Sequence, residues 1–357
     1  MNIQSKQNTI DTVELLKHLI GIASYSGGEE GVADFLENYL SEMGLNPDRK
    51  NNNIWVMPAN YNEAYPNVLL NAHIDTVKPS GNWSMDPHKP VERGRRIYGL
   101  GSNDDGASLV CLLDTFLYFY EKDIPLNIIF SATAEEETGG KHGIQSMVEE
   151  LPEISLGIMG EPTGMQMAVG ERGLLVVDGK VTGTTKHAAL DNPDNAILNT
   201  MEVLSKLQNI HFDKISEALG EVHVTVSEIH AGTQHNVTPP ECNFVLDIRM
   251  NERYTPQDIL EILGRELDCS LEARSLDKMA SGISLDHPIV ESAKALNIKR
   301  YGSSTLSNMA YISFPSVKIG PGDPARSHKP DEYVYSHELD TGKLYYKKLI
   351  NQYISLL

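Results

Sequence analysis

Cysteine is scarce in this chain of 357 residues, and the three present, Cys111, Cys242 and Cys269, are far apart and odd in number. That excludes a disulfide framework or a CxxC metal pattern and leaves buried free thiols in a reducing cytoplasm as the expectation. Long apolar runs are missing as well. No stretch of about 18 apolar residues could span a bilayer, and Met1 to Thr12 is polar, without the apolar core of a signal peptide. The expectation is a cytoplasmic chain with no membrane partner. Positive charge is short: 30 Lys and Arg against 49 Asp and Glu leave a net charge of −19. A nucleic-acid partner is excluded, because phosphates call for a basic surface. A cationic substrate is permitted, although most acidic surfaces serve only solubility. Internal repeats and low-complexity tracts are also lacking.

What is present is a globular chain. Hydrophobic residues make up 40%, enough for a core, and the length suits two domains. Apolar residues at helical spacing run from Asp11 to Leu19 and from Glu29 to Met43, with a Ser26-Gly-Gly turn between. Short apolar runs at 67–72, 127–132 and 155–160 each end in polar residues. They read as strands of a mostly parallel sheet, with a helix over Ala107 to Tyr120 between two of them. The texture changes after Gly170. Runs at 174–181, 222–227 and 243–249 predict a half-exposed sheet, covered on its other face by helices at Ala196 to Leu207 and Pro256 to Leu267. About a hundred residues in this texture suit a small inserted domain. The first texture resumes after Ala280, with helices near Pro288 to Leu296 and Thr341 to Leu357.

Candidate chemistry sits at strand ends. His73-Ile-Asp75 closes the first predicted strand, and residues two apart on an extended chain share a face. Asp75 is therefore expected to hydrogen-bond the ring of a metal-bound His73, fixing its tautomer. Asp104 follows glycines that let backbone pass close to a buried site and precedes a helix, whose N-terminus favours a carboxylate. Glu135, Glu136 and Glu137 come directly off the strand at 127–132, at the end where open α/β sheets place their sites. Glu161 lies just beyond the next strand, and His328 in a loop after the short apolar run 316–319. Taken singly, an ordinary His–Asp pair, an acidic helix cap and a solvated acidic loop account for these residues as well. Together they offer two imidazoles and three acidic clusters, a mix that suits zinc, cobalt or manganese better than calcium. Two metals sharing one bridging carboxylate, each with one acid and one imidazole, need three acids and two histidines.

In order along the chain, HIDTV (73–77), YGLGSNDDGA (98–107), TAEEETGG (133–140), GEPT (160–163), GTTKHAA (183–189) and GPGDPARSH (320–328) resemble the M20 family of metallopeptidases and deacylases. The likeness is closest to its acetylornithine-deacetylase-like and succinyl-diaminopimelate-desuccinylase-like branches. The resemblance implies an α/β fold, a mostly parallel sheet flanked by helices as in zinc exopeptidases, with an inserted α+β lid or dimerisation domain. Residues 1–172 and 281–357 would form the catalytic domain and 173–280 the lid. It implies two divalent ions, zinc or cobalt: His73 binds one and His328 the other, Asp104 bridges them, Glu161 completes the His73 site and Glu137 the His328 site. Glu136 matches the general base. In this register Glu135 has a lesser role; sliding the triple glutamate by one would swap neighbours.

The family also implies a cis peptide at Asp104-Asp105. Where members commonly carry a lysine–glycine pair after the bridging aspartate, this chain has Asp105-Gly106-Ala107, an extra carboxylate that either tightens metal binding or faces solvent. His187 in the lid is a candidate oxyanion donor, reaching a partner subunit's site in dimeric members. Arg249 matches a residue for the substrate carboxylate, a task for a bidentate guanidinium. Asn236 and the backbone of Gly320 to Gly322 are further substrate-binding candidates. The implied reaction is amide hydrolysis of an N-acyl amino acid, N-acetylornithine or N-succinylornithine to ornithine, in arginine biosynthesis. Arg172, Lys186, Arg249 and Arg326 are the cations available for a succinyl carboxylate. A dipeptidase, a carboxypeptidase or another deacylase would keep the same metals. A non-catalytic binding protein would have lost ligands or base, and all are in place.

Overall fold

The computed structural model describes residues 10–357. Of the polar stretch Met1 to Thr12, residues 1–9 therefore lie outside the described part. The chain divides into two compact units. One takes the chain up to Val169 together with Ile283–Tyr301 and Ser307–Leu357; the other is Gly170–Gly282 with Gly302–Leu306.

The first unit is built on a sheet ordered Pro47–Lys50, Asn53–Val56, Asn127–Thr133, Asn67–His73, Leu156–Met159, Ser316–Lys318 and Met167–Glu171. The four strands from Asn127–Thr133 to Ser316–Lys318 run parallel, and the flanking ones pair antiparallel. Every residue of those four strands is buried, as expected of parallel strands covered on both faces. The helix Gly106–Phe119 is apolar on nearly all sides. It packs against the strands Asn67–His73 and Asn127–Thr133 and the helices Thr12–Ile20 and Ser336–Ile354, so little of it beyond Tyr118 is left to water. Leu69, Ile129 and Met159 form a further cluster with Ile144, Met147 and Met309.

The second unit is a four-stranded antiparallel sheet ordered His223–Ala231, Glu241–Met250, Gly173–Thr182 and Ser270–Ala273. Gly173–Thr182 alternates buried and less buried positions, the signature of a sheet with one face in the core. Leu175, Val177, Phe244, Leu246 and Ile248 meet Val203, Leu207, Ile259 and Leu263 from the helices Ala196–Leu207 and Pro256–Glu266. A capping box between Thr255 and Asp258, with Pro256 in the first turn, starts the second helix.

The strands Pro47–Lys50, Asn53–Val56, Met167–Glu171 and Ser270–Ala273 were not read from the sequence, and two of the elements that were have different bounds. The strand expected at 222–227 runs to Ala231, through residues whose exposure hides any alternation. The last helix begins at Ser336 rather than Thr341. Its polar first turn shows no apolar period but is held by Glu338, whose Oε2 accepts Tyr335 N–H at 2.8 Å.

Candidate active site

Parallel strands end together, so the first residues beyond them meet. His73 ends the strand Asn67–His73 and lies beside Thr133, the last residue of its neighbour; Glu136 and Glu137 follow that neighbour directly. Glu161 stands two residues beyond Leu156–Met159. His73 Nε2 is 3.2 Å from Asp104 Oδ1. His328 Nε2 lies 3.5 Å from Asp104 Oδ2 and 2.9 Å from Glu137 Oε1. Asp104 thus stands between the two imidazoles, one oxygen toward each. Donor atoms of His73, Asp104 and Glu137 lie within 4.8 Å of one another, as do those of His73, Glu136 and Glu161. The structure brings all five expected ligands and Glu136 into one cluster.

Glu135 is turned away from that cluster. It has φ +58°, its Oε2 accepts His142 N–H at 3.1 Å, and its carbonyl accepts Gly140 N–H at 2.9 Å. The side chain staples its own loop, while its two neighbours face the site.

Asp75 departs from expectation. The His73 ring is held through Nδ1 by the backbone carbonyl of Asp75 at 2.9 Å, with the nearer carboxylate oxygen at 3.5 Å. The carboxylate instead accepts Glu136 N–H and Glu137 N–H, both at 3.0 Å, and the Ser26 hydroxyl at 2.6 Å. One residue orients the imidazole with its backbone and the glutamate turn with its side chain. Asp105 does not face solvent: it is 1% exposed. The Asp104-Asp105 peptide is cis.

Electrostatics show what the cluster asks for. Burial pushes Glu136 up to about 8, against the pull of His73. Burial, with the nearby Glu136 charge, raises Glu161 well above the carboxylate range. Burial would lower His73, yet hydrogen bonds to Asp104 and Asp75 hold it well above its ordinary value. His328 rises to about 9 through its bond to Glu137. Two carboxylates, Glu136 and Glu161, pushed toward the protonated form beside imidazoles drawn into the cationic form call for positive charge at their centre. Two nitrogens and several carboxylate oxygens at this spacing fit divalent cations of the zinc type.

Several residues that hold the site carry no motif signal of their own. Glu29 is fully buried; its Oε1 accepts Gly27 N–H at 2.7 Å and Glu135 N–H at 3.2 Å. Glu332, pushed up to about 8 by burial, accepts from the backbone around Asp104. Only its place four residues after His328 could have drawn attention to it. Gly322, by contrast, lies in the GPGDPARSH motif; it has φ +92°, and a Cβ there would lie 2.5 Å from Asn103 Oδ1. Its carbonyl accepts Gly164 N–H at 2.7 Å.

The remaining candidates belong to the second unit. His187 is exposed, and its Nδ1 accepts Ala189 N–H at 3.2 Å. Asn236 lends its carbonyl to Ala188 N–H at 2.9 Å. Arg249 forms a bidentate pair with Asp247, at 2.8 and 3.1 Å. Among the other cations, Arg172 donates to the carbonyls of Leu219 and Glu221. In the first unit Arg326 is paired with Glu338 at 2.7 Å.

Imidazoles and carboxylates gathered at the carboxyl ends of parallel strands define the class, a metal-dependent hydrolase. A description of peptidase family M20/M25/M40 matches residues 69–352, and the chain belongs to that family. It is similar to an acetylornithine deacetylase of Buchnera aphidicola subsp. Acyrthosiphon pisum, 27% identical over 96% of this chain and 97% of the relative. A succinyl-diaminopimelate desuccinylase of Rickettsia bellii is 29% identical over 92% and 93%. Among solved structures, an M20 family metallo-carboxypeptidase from Sulfolobus solfataricus has a TM-score of 0.73 at 14% identity, over 97% of this chain and all of that one. A dinuclear metal-binding M20 peptidase from Bacillus subtilis has a TM-score of 0.69 at 14% identity, covering 97% of both chains. These two establish the shared fold, an α/β catalytic architecture with a second domain.

Proposed function

We propose that this metallohydrolase cleaves the amide bond of an N-acylated amino acid, with N-acetylornithine or N-succinylornithine as the leading substrate, in a step of arginine biosynthesis. The observation that carries the reading is the convergence of His73, Asp104, Glu137, Glu161 and His328 around Glu136. Likeness over the whole chain to relatives named as deacylases of amino-acid derivatives gives it direction. His73 and Glu161 would hold one divalent ion, His328 and Glu137 another, with Asp104 between them; zinc or cobalt suits these donors. Bound there, the ions supply a lowered water pKa and charge that meets the oxyanion of the transition state. Glu136 takes the proton from the attacking water and delivers it to the leaving amine nitrogen. Asp75 keeps the Glu136–Glu137 turn and the His73 ring in place for this.

Residues 173–280 are proposed as a lid and dimerisation domain. Its edge strand His223–Ala231 exposes Val226 and Ile229, and the helix Ala196–Leu207 exposes Ile197, Leu198 and Met201. An unpaired edge with apolar neighbours suits pairing with a second copy. In such a dimer His187 would serve as oxyanion donor in the partner's site, and Arg249, with Asn236 and Gly322, would meet the substrate carboxylate. Sedimentation at micromolar concentration is expected to give twice the chain mass. Free Cys111, Cys242 and Cys269 favour a cytoplasmic setting.

The test is a substrate panel with added zinc or cobalt: N-acetylornithine, N-succinylornithine, N-acetylcitrulline, N-succinyl-diaminopimelate and simple dipeptides. Cleavage of an acyl-ornithine is the expected result. Cleavage of dipeptides alone would replace the deacylase reading with a peptidase one.

A further inference from the structure

The two proposed ion positions are supported unequally. His73 ends a fully buried strand, and its ring is held by the Asp75 carbonyl. His328 sits on a loop with φ +58°, its side chain 52% exposed. The loop is also held by Ser80 Oγ, which donates to His328 O at 3.3 Å, and by Ser84 N–H, which donates to Asp331 Oδ1 at 2.9 Å, but its link to the Asp104 turn runs through Glu332, four residues on and 2% exposed. Glu332 Oε1 accepts Asn103 N–H at 2.8 Å and Asp104 N–H at 3.0 Å, and Oε2 accepts Gly101 N–H at 3.2 Å. The tie also runs in the other direction. Asn103 Nδ2 donates to Asp323 O and Ser327 Oγ, both at 3.1 Å, and its Oδ1 accepts Asp323 N–H at 3.0 Å. The turn carrying Asp104 and the loop carrying His328 are thus locked to each other by two buried side chains, one from each.

Metal sites tolerate ligand misplacement of only about 0.2 Å, and a long loop such as that between Lys318 and Tyr333 can shift by more. Asp104 has a second anchor, the helix Gly106–Phe119 that follows it; His328 has no strand or helix of comparable length. We propose that Glu332 is a positioning residue that sets the span between Asp104 and His328, and so governs ion affinity at the His328–Glu137 position while leaving the His73–Glu161 position largely to the strands. This rests on the two-ion reading above.

The experiment is a titration of the full chain, stripped of metal and shown to be folded by circular dichroism, with zinc against a chromophoric chelator. Wild type is expected to fill in two steps. In Glu332→Ala one step should weaken about 10- to 100-fold, the usual range for residues that support ligands, with the other within about threefold of wild type. Glu332→Gln keeps an acceptor for Asn103 and Asp104 N–H and should recover most of the loss. Asn103→Ala, which cuts the link from its other side, should show the same selective weakening and takes over the test if Glu332→Ala does not fold. Two unchanged steps in the folded variant, two equally weakened steps, or a Gln variant as weak as Ala would overturn the assignment. A single step in wild type would instead sink the two-ion reading itself, and this proposal with it.

Discussion

Glu136 and Glu137 are neighbours with the same functional group, and the fold assigns them different surroundings. Glu137 reaches the exposed imidazole of His328 at 2.9 Å. Glu136 shares its space with His73 and Glu161, where burial pushes it up to about 8. The residue proposed to move protons can therefore be separated by substitution from those proposed to hold ions. Glu136→Gln removes the proton acceptor and keeps the shape. Elemental analysis is expected to find the same metal content as wild type, while kcat falls about 10²- to 10⁴-fold, the contribution ordinary for a positioned general base. Near-wild-type turnover would show that another group takes the proton. The sequence suggests which two of the three glutamates face the site only by pattern; the backbone supplies the physical cause. Asp75 accepts the N–H groups of Glu136 and Glu137, Glu29 that of Glu135, and the left-handed φ at Glu135 turns its side chain toward His142.

At the scale of elements, what was legible was whatever local chemistry writes. The helix Ala196–Leu207 lies where its apolar spacing places it, and the buried strands Asn67–His73 and Asn127–Thr133 are uninterrupted enough to be read directly. The start of the last helix was not, because Glu338 in its first turn is fixed by a partner twelve residues upstream. Glu338 is gripped by Arg326 through both oxygens at 2.7 Å, and Arg326 stacks on Tyr333 and Tyr335 at 4.9 and 5.2 Å. Burial alone would raise the Glu338 carboxyl, but Arg326 and the Tyr335 N–H hold it below the ordinary range. A carboxyl depressed in the fold stabilises above its unfolded pKa, and that stability is lost as pH falls through the folded value. Glu338→Gln is therefore expected to cost about 1–3 kcal/mol near pH 7, between an exposed and a fully buried pair. The gap in thermal midpoint between variant and wild type should close as pH is lowered from 5 toward 3. A gap that stays constant over that interval would mean the ion pair contributes nothing to stability.

At the scale of the molecule, the chain is two units with separate cores, and the six residues of the cluster all belong to the first. They come from segments spread from His73 to His328. Order along the chain was enough to nominate them, because His73, Glu136, Glu137 and Glu161 stand just past apolar runs whose parallel strands deliver their ends to one place, while Asp104 and His328 lie in the glycine-bearing motifs before the helix Gly106–Phe119 and after the strand Ser316–Lys318. The contacts that hold them were illegible for the opposite reason: Glu332 and Asn103 are 229 positions apart, and nothing local in either stretch specifies the pairing. Such an arrangement makes the catalytic unit depend on its cations. Without them, Glu136, Glu161, Asp104 and Glu137 crowd one another with only the two imidazoles and, beside Glu161, Lys318 as counter-charge, and segments from five parts of the chain are held together by hydrogen bonds such as those of Asp75, Asn103 and Glu332. Each ion bound only by the folded state adds stability of RT ln(1 + [L]/Kd), about 2.7 kcal/mol at a hundredfold excess over Kd. Exhaustive chelation is expected to abolish hydrolysis and lower the unfolding temperature of the first unit, with both restored by zinc or cobalt. The core of the second unit contains none of these ligands, so its unfolding should be indifferent to chelator. Hydrogen exchange resolves the two directly: protection should fall in 67–73, 101–104 and 320–332 and hold steady in 173–182 and 241–250. Equal loss in both units, or none in the first, would mean that the cluster does not depend on metal for its form.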